Sequence, residues 1–279
     1  KKILLIYIVI SFSWCIGWKA LNIPAENSYD VSTSGTGIAE GVSPSLNPAL
    51  KINYAPYIQF SFNNWIGEIK GSHLAYHYGK EFSQSITVQT WNSKDIQLWG
   101  ENPNSNSLGT FSVHYISTAY SISHNLNTPF RFGLRIQGNY FHLFTESENN
   151  ITLSGGALFP INSFITIGAV IKNLDFKKTS DVNSEVGAGI QIKAPFNLLL
   201  SSDFIKISEL NEDFRLGLRT NWNKVNFYFG RTVNEKRNSN AFGFSFNHRK
   251  WLINYGIYYH ENSNLSPSLP QFFDIRYYL

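Results

Sequence analysis

The sequence predicts an all-β fold: a closed antiparallel transmembrane β-barrel of about 14 strands with an N-terminal plug-like segment. Three observations predict it. From Tyr57 to the end of the chain, apolar and polar residues alternate with a period of two, which puts successive side chains on opposite faces of a sheet. The connections between the alternating runs are short and long in turn. Aromatic residues make up 16% of the 279 residues and charged residues only 15%, against about a quarter in soluble domains. The mean hydropathy of −0.19 is too polar for a bundle of membrane helices but suits strands that meet lipid on one face and a polar lumen on the other.

Residues 1–20 read as an export signal. Lys1 and Lys2 form the positive start, an apolar run extends from Ile3 to Phe12, and small or polar residues follow at Ser13, Cys15, Gly17 and Ala20. Cleavage is expected after Gly17 or Ala20. The run is shorter than the roughly 20 residues of a spanning helix, which argues against a retained anchor. Phe12-Ser13-Trp14 is a poor lipoprotein site ahead of Cys15. Cys15 is the one cysteine, so the chain forms no internal disulfide and has no cysteine metal site.

Residues 21–56 form a second unit, rich in Ser, Gly, Pro and Asn and without alternation. A plug or periplasmic segment is expected here, with a linker as the alternative. Gly35-Thr36-Gly37 and Asn47-Pro48-Ala49 are its notable pieces, and Asn47 ahead of Pro48 suits the cap of a short helix.

The barrel is assigned to residues 57–279, with strands at 57–64, 67–79, 82–92, 110–124, 128–145, 150–160, 163–174, 185–194, 196–207, 213–222, 225–234, 240–249, 250–260 and 270–279. In 213–222, Phe214, Leu216 and Leu218 oppose Arg215, Gly217 and Arg219. In 128–145, Phe130, Phe132, Leu134 and Ile136 oppose Arg131, Gly133, Arg135 and Gln137. In the last strand, Phe273, Ile275, Tyr277 and Leu279 oppose Asp274, Arg276 and Tyr278, and this strand resembles the C-terminal signal of barrel-assembly substrates. A soluble sandwich or propeller also alternates, but it would expose far more contiguous apolar surface here than water tolerates.

Tight turns are expected at Lys80-Glu81, Ile161-Asn162, Pro195, Asn223-Lys224 and Lys250, and loops at 92–109, 146–150, 175–184, 208–213, 234–240 and 261–270; Trp65 breaks the rule with a short outer connection. Tight turns on one side and long loops on the other are the asymmetry of bacterial outer-membrane barrels, so the tight turns and both termini are assigned to the periplasm. Trp65, Trp91, Trp222, Trp251, Tyr259 and Tyr277 lie near strand ends and are expected in interfacial aromatic girdles.

The lumen face is predicted to hold Arg131, Arg135, Lys172, Lys193, Arg215, Arg219 and Arg276, with Glu68, Asp203 and Asp274 among them. Two readings stand: a basic lumen that meets an anionic ligand, or an architectural network of inward charges. His73 and His77 share a face but lie roughly 13 Å apart on a strand, too far for one metal ion. No metal site, cofactor or catalytic residue is predicted, and neither G-x-S-x-G nor H-E-x-x-H occurs. A barrel lipase or protease, whose sites carry no local signature, is the enzymatic alternative. The net charge of +4 is scattered, without the dense runs of a nucleic-acid binder.

Gly35-Thr36-Gly37, Asn47-Pro48-Ala49, Phe62-Asn63-Asn64-Trp65-Ile66, Gly71-Ser72-His73-Leu74-Ala75-Tyr76, Gly133-Leu134-Arg135 and residues 168–173 together resemble the PorV/PorQ family of the FadL-type barrel superfamily, over nearly the whole chain. The resemblance implies a non-enzymatic outer-membrane component of a type IX-like secretion system. Its partners would be outer-membrane lipids, exported cargo proteins and secretion-system subunits. The wider superfamily implies the alternative: a FadL-like transporter of hydrophobic small molecules, with the N-terminal segment and its Asn47, Pro48 and Ala49 as plug.

Overall fold

The computed structural model describes residues 26–50, 55–65, 69–79, 82–98, 107, 109–125, 130–143, 145–175, 183–208, 212–235, 238–260 and 269–279. The expected leader and Glu68 lie outside them. The strands are β1 (Tyr57–Asn64), β2 (Lys70–Tyr78), β3 (Phe82–Leu98), β4 (Gly109–Asn125), β5 (Arg131–Leu143), β6 (Glu146–Pro160), β7 (Ile165–Asp175), β8 (Glu185–Ala194), β9 (Leu198–Ile207), β10 (Asp213–Trp222), β11 (Val225–Val233), β12 (Asn238–His248), β13 (Trp251–His260) and β14 (Gln271–Tyr278). A single helix, α1 (Ser28–Ser32), precedes them among the described residues.

Each strand pairs antiparallel with its neighbours in sequence, and β14 closes the cylinder against β1 in the register Tyr57↔Tyr278 to Asn64↔Gln271. The amide of Leu279 reaches the carbonyl of Pro56 at 2.8 Å, which carries the closure to the last residue. A closed sheet has no free edge, and every ladder bond is made within the wall.

Burial alternates along the strands as the side-chain period requires. On β5, Phe132, Leu134 and Ile136 are 49%, 56% and 49% exposed, whereas Arg135 between them is 4% exposed. The same outward rows of Phe, Ile, Leu and Tyr recur around the cylinder. Surrounded by water, that surface would exceed any monomer's apolar patch; surrounded by hydrocarbon, it is the required surface.

Three expectations need correction. β3 runs to Leu98, beyond the expected end at 92. A bulge between Ser93 and Ile96 shifts its register against β4 and breaks the alternation that marks the strand. β6 starts at Glu146, so Glu146-Ser147-Glu148-Asn149-Asn150 is strand and not loop. Both stretches carry polar residues on both faces, so the ladder continues where the hydrophobic period stops. Finally, Trp65 and Trp91 lie buried inside the barrel and not in an outer girdle. Trp91 falls on the lumen face of β3 with Gln89 and Thr87, and Gly71 across from it leaves room for its ring. Trp222, Trp251 and Tyr259 do face outward, and Tyr277 packs on Trp251 with ring centroids 4.7 Å apart.

The turn between β8 and β9 shows how sequence sets a hairpin here. Phe196 and Asn197 both hold left-handed backbone, φ 62° and 56°, and the amide of Leu198 returns to the carbonyl of Pro195 at 3.3 Å. Two such residues match the right-handed twist of the flanking strands.

Candidate functional site

The lumen is where the inward rows meet residues 26–50. This inner segment runs inside the barrel, buried along almost its whole length. α1 opens it. Asn27 caps the helix by accepting a bond from the Asp30 amide at 3.1 Å, and Asp274 of β14 accepts the Ser28 amide at 3.0 Å and its hydroxyl at 2.5 Å. A carboxylate at a helix start meets unpaired amides and the positive end of the helix dipole. Five residues do not sustain a helix in water, so this one depends on the wall around it.

After α1 the backbone turns at Gly35 (φ 71°) and Gly37 (φ 148°). The amides of Gly37 and Ile38 then converge on one oxygen of Asp203, at 2.7 and 3.0 Å. Asn47 does not cap a helix. Its amide nitrogen donates to the carbonyls of Ile38 (2.7 Å) and Ala157 (3.2 Å), and its oxygen accepts the Ala49 amide at 2.9 Å, so it clamps the segment both to itself and to β6. Pro48 and Ala49 pass against the wall at Gly133. The hydroxyl of Ser123 holds the carbonyl of Leu50 at 3.2 Å.

Glycines line the wall wherever this backbone passes. A Cβ on Gly133 would stand 2.1 Å from the carbonyl oxygen of Pro48, and one on Gly230 would stand 2.2 Å from the carbonyl carbon of Thr33. Gly168 and Gly256 likewise meet its backbone, at Ile38 and Ser28, and Gly156 and Gly243 meet the short side chains of Asn47 and Ser32. Several of them face each other across the ladder, as Gly133 faces Gly156 and Gly243 faces Gly256.

The inward cations are mostly occupied by carboxylates. Arg135 bonds to Glu26, which His73 also approaches at 3.6 Å. Arg215 holds Asp213 at 2.8 Å and the carbonyl of Gly35 at 3.2 Å. Lys172 pairs with Glu185 at 2.5 Å. Arg219 lies 3.8 Å from Glu40, which also accepts the hydroxyl of Ser201 and that of Tyr29. Asp274 and Arg276 share Gln59: its amide nitrogen donates to Asp274, which also holds α1, while its oxygen accepts twice from Arg276, at 3.0 and 2.7 Å, and Arg276 lies 4.1 Å over the Tyr57 ring. Arg131 is half-buried at the start of β5, at the tight-turn end of the barrel. Lys193 is exposed near the end of β8, at the same end.

The acids of the inner segment, Glu26, Asp30 and Glu40, are not among the residues expected from sequence. Burial opposes the charge on Glu26, but Arg135 and His73 outweigh it and hold the group at about 2. At Asp30 the balance reverses. Burial pushes it up to about 6, and the hydroxyls of Ser45 and Ser43 offset only part of that.

At the end of the lumen away from the tight turns, α1 meets an aromatic cluster. Val31, Trp65, Trp91, Ala241, Tyr258 and Phe272 are buried together, with Ile69 and Tyr115 packed against them. Phe272 stands edge-on to Trp65 at 6.0 Å and to Trp91 at 5.8 Å. At the opposite end, beside the tight turns, a cavity of about 530 Å³ lies among Lys193, Arg219, Arg276, Tyr29 and Tyr228. No group of three or more His, Cys, Asp or Glu suited to a metal ion occurs among the described residues.

No protein-family model matches the chain, and no curated protein matches it in sequence. Solved structures do match. The CymD monoaromatic hydrocarbon channel superposes with a TM-score of 0.70 at 9% identity, covering 92% of this chain and 98% of that one. The Pseudomonas putida toluene transporter TodX gives 0.66 at 9% identity over 88% and 95%. A Pseudomonas aeruginosa FadL homologue gives 0.62 at 9% identity over 92% and 99%. At such identities the likeness is one of fold. The chain has the closed antiparallel barrel of FadL-type proteins, and with its lipid-facing wall it is a barrel of the bacterial outer membrane.

Proposed function

We propose that this barrel passes hydrophobic small molecules, of the size of a single aromatic ring, across the outer membrane without chemical change, and that residues 26–50 act as its plug. The observation that carries this reading is the aromatic cluster of Trp65, Trp91, Tyr258 and Phe272, seated inside the lumen on α1. Lumen walls of water-filled barrels are polar. An apolar cluster inside the outer end offers an incoming hydrocarbon a surface that excludes water, worth about 25 cal/mol per Å² buried. The likeness to CymD, a monoaromatic hydrocarbon channel, and to TodX, a toluene transporter, supports the same substrate class. The hydrogen bonds from Asn47, Asp203 and Asp274 to the inner segment support its role as a plug.

Uptake of radiolabelled toluene by cells carrying the barrel tests the proposal. Removing one aromatic contact costs about 0.5–1.5 kcal/mol, so Phe272→Asn and Trp91→Gln are each expected to slow uptake by about two- to tenfold. Uptake at the unmodified rate, with both variants present in the membrane at equal amounts, rejects it.

One observation favours a second reading. β3 and β6 extend into stretches that are polar on both faces, including Lys94 and Gln97 on one and Glu146 and Glu148 on the other. Lipid does not tolerate such faces, so they stand clear of it as a rim. A rim of this kind suits a PorV/PorQ-like barrel that holds exported cargo proteins and secretion-system subunits. Trimming the β3–β4 hairpin distinguishes the two: the transport reading expects uptake to persist, and the secretion reading expects loss of cargo capture.

A further inference from the structure

On the lipid-facing side of the wall, β8 to β11 enclose a hollow of about 330 Å³. Sites that hold a small organic molecule run from roughly 300 to 1,000 Å³. The register shows how the hollow forms. Ile190 pairs with Ser202 and Ser202 with Leu216, so three outward side chains stand in one row across β8, β9 and β10. Two residues nearer the tight turns, Leu200, Leu218 and Phe229 make a second row across β9, β10 and β11. Along β9 the outward positions read Leu200, Ser202 and Phe204. Large side chains therefore surround a position whose own side chain ends at one hydroxyl, and the missing volume is the hollow. The ladder runs unbroken from Ser202 to both neighbouring strands, so the hollow belongs to the outer face and not to the lumen.

The outward lining is apolar except at Ser202. Its hydroxyl has no hydrogen-bond partner among the described residues. By contrast, Ser72 and Thr90, also outward, bond to each other at 2.9 Å across β2 and β3, and Tyr120 bonds to Gln84 at 2.6 Å across β3 and β4. A hydroxyl held in hydrocarbon without a partner is costly. The next member of the Ser202 row is Arg231, which pairs with Leu216 and shares the outward parity of Phe229. A cation on the lipid face costs most at the midplane and little near an interface, so this row runs toward the depth at which lipid esters lie. The ligand that fits is an apolar chain with one hydrogen-bond acceptor. Around this wall, the molecules of that description are the membrane's own lipids. A second copy of the barrel would bring mainly Phe, Ile and Leu, which fill space without an acceptor.

We infer that this hollow is a binding site for one membrane lipid. An ester-linked acyl chain lies among Leu200, Leu216, Leu218 and Phe229, and its ester carbonyl accepts a bond from the Ser202 hydroxyl. The site stands independently of hydrocarbon transport, because these side chains face the bilayer and not the lumen.

Photolabelling of the full chain in phosphatidylcholine vesicles tests this, with a trace of ester-linked phosphatidylcholine that carries a diazirine in its acyl chain and mass spectrometry to map the labelled residues. A hydrogen bond made at membrane depth favours the bound lipid by about threefold, so Leu200, Leu216, Leu218 and Phe229 are expected to label about threefold more than the outward row Phe132, Leu134 and Ile136 of β5. Ser202→Leu fills the hollow with a side chain that lipid tolerates, and Ser202→Ala keeps the hollow but removes the donor. Each is expected to bring labelling down to the level of β5. An ether-linked diazirine analogue, which has no carbonyl, is expected to show that same low level in the unmodified chain. Even labelling around the wall, enrichment that survives either substitution, or equal enrichment of the ether-linked analogue would each overturn the assignment. Cross-linking of the hollow to a second copy of the chain, in place of lipid, would overturn it as well.

Discussion

Asp30 and Glu26 sit four residues apart on the inner segment and respond to pH in opposite directions. Burial raises Asp30 to about 6, while Glu26, buried too but held by Arg135 and His73, lies at about 2. A carboxyl raised on folding contributes stability below its unfolded value and loses it as pH climbs through the folded one; a lowered carboxyl contributes above its unfolded value and loses it as pH falls. Asp30 therefore favours docking of the segment at pH 4 over pH 7, by about 2 kcal/mol. Glu26 contributes fully above its ordinary value of 4.5 and begins to be lost as pH falls through it, which offsets only a small part of the gain from Asp30. Amide exchange protection over residues 28–46 is expected to rise from pH 7 to pH 4.5, after correction for intrinsic rates, and Asp30→Asn is expected to flatten the profile. A flat or falling profile in the unmodified chain contradicts the assignment. These acids were not legible in the sequence, because a segment without periodicity does not say which wall residues it meets. The wall cations were legible: Arg135, Arg215 and Arg219 occupy inward positions that parity alone specifies. Trp91 was misplaced: its residue type suggests a girdle, but the structure puts it on the lumen face with Gln89 and Thr87, whose parity it shares.

Strands and inner segment fit as elements because one lacks side chains where the other passes. β5, β6, β7, β11, β12 and β13 each place a glycine against the segment's backbone or short side chains. In Gly133→Val the added atoms would occupy the position of the Pro48 carbonyl, which belongs to the segment and not to the barrel's own ladder. The variant is expected to form a barrel with unchanged heat-modifiable gel mobility, while its segment becomes open to protease and its conductance in planar bilayers increases. A protected segment and unchanged conductance would show that the close approach at Gly133 is unimportant. Strand ends were legible where a tight turn punctuates them, as for β1, β8 and β10, whose ends match expectation. They were not legible at the outer ends of β3 and β6, where the wall leaves lipid and both faces become polar. The short helix went unseen because Asn27 and five further residues carry too little pattern, and tertiary contact with β11 to β14 supplies what propensity lacks.

As a whole molecule, the protein is a cylinder with an apolar exterior, a hydrogen-bonded interior and two chemically different ends. The loop end is aromatic and the tight-turn end basic. That polarity follows from the same two-residue period that builds the wall, and the lipid-facing exterior is the claim on which the other readings rest. Nitroxide scanning of residues 199–206 on β9, in a Cys15→Ser background in lipid bilayers, measures it directly. Collision with oxygen, which concentrates in hydrocarbon, is expected to peak at 200, 202 and 204 and to drop at 199, 201, 203 and 205. A profile without a two-residue period, or one in which a water-soluble relaxant reaches 200, 202 and 204 best, contradicts the barrel described.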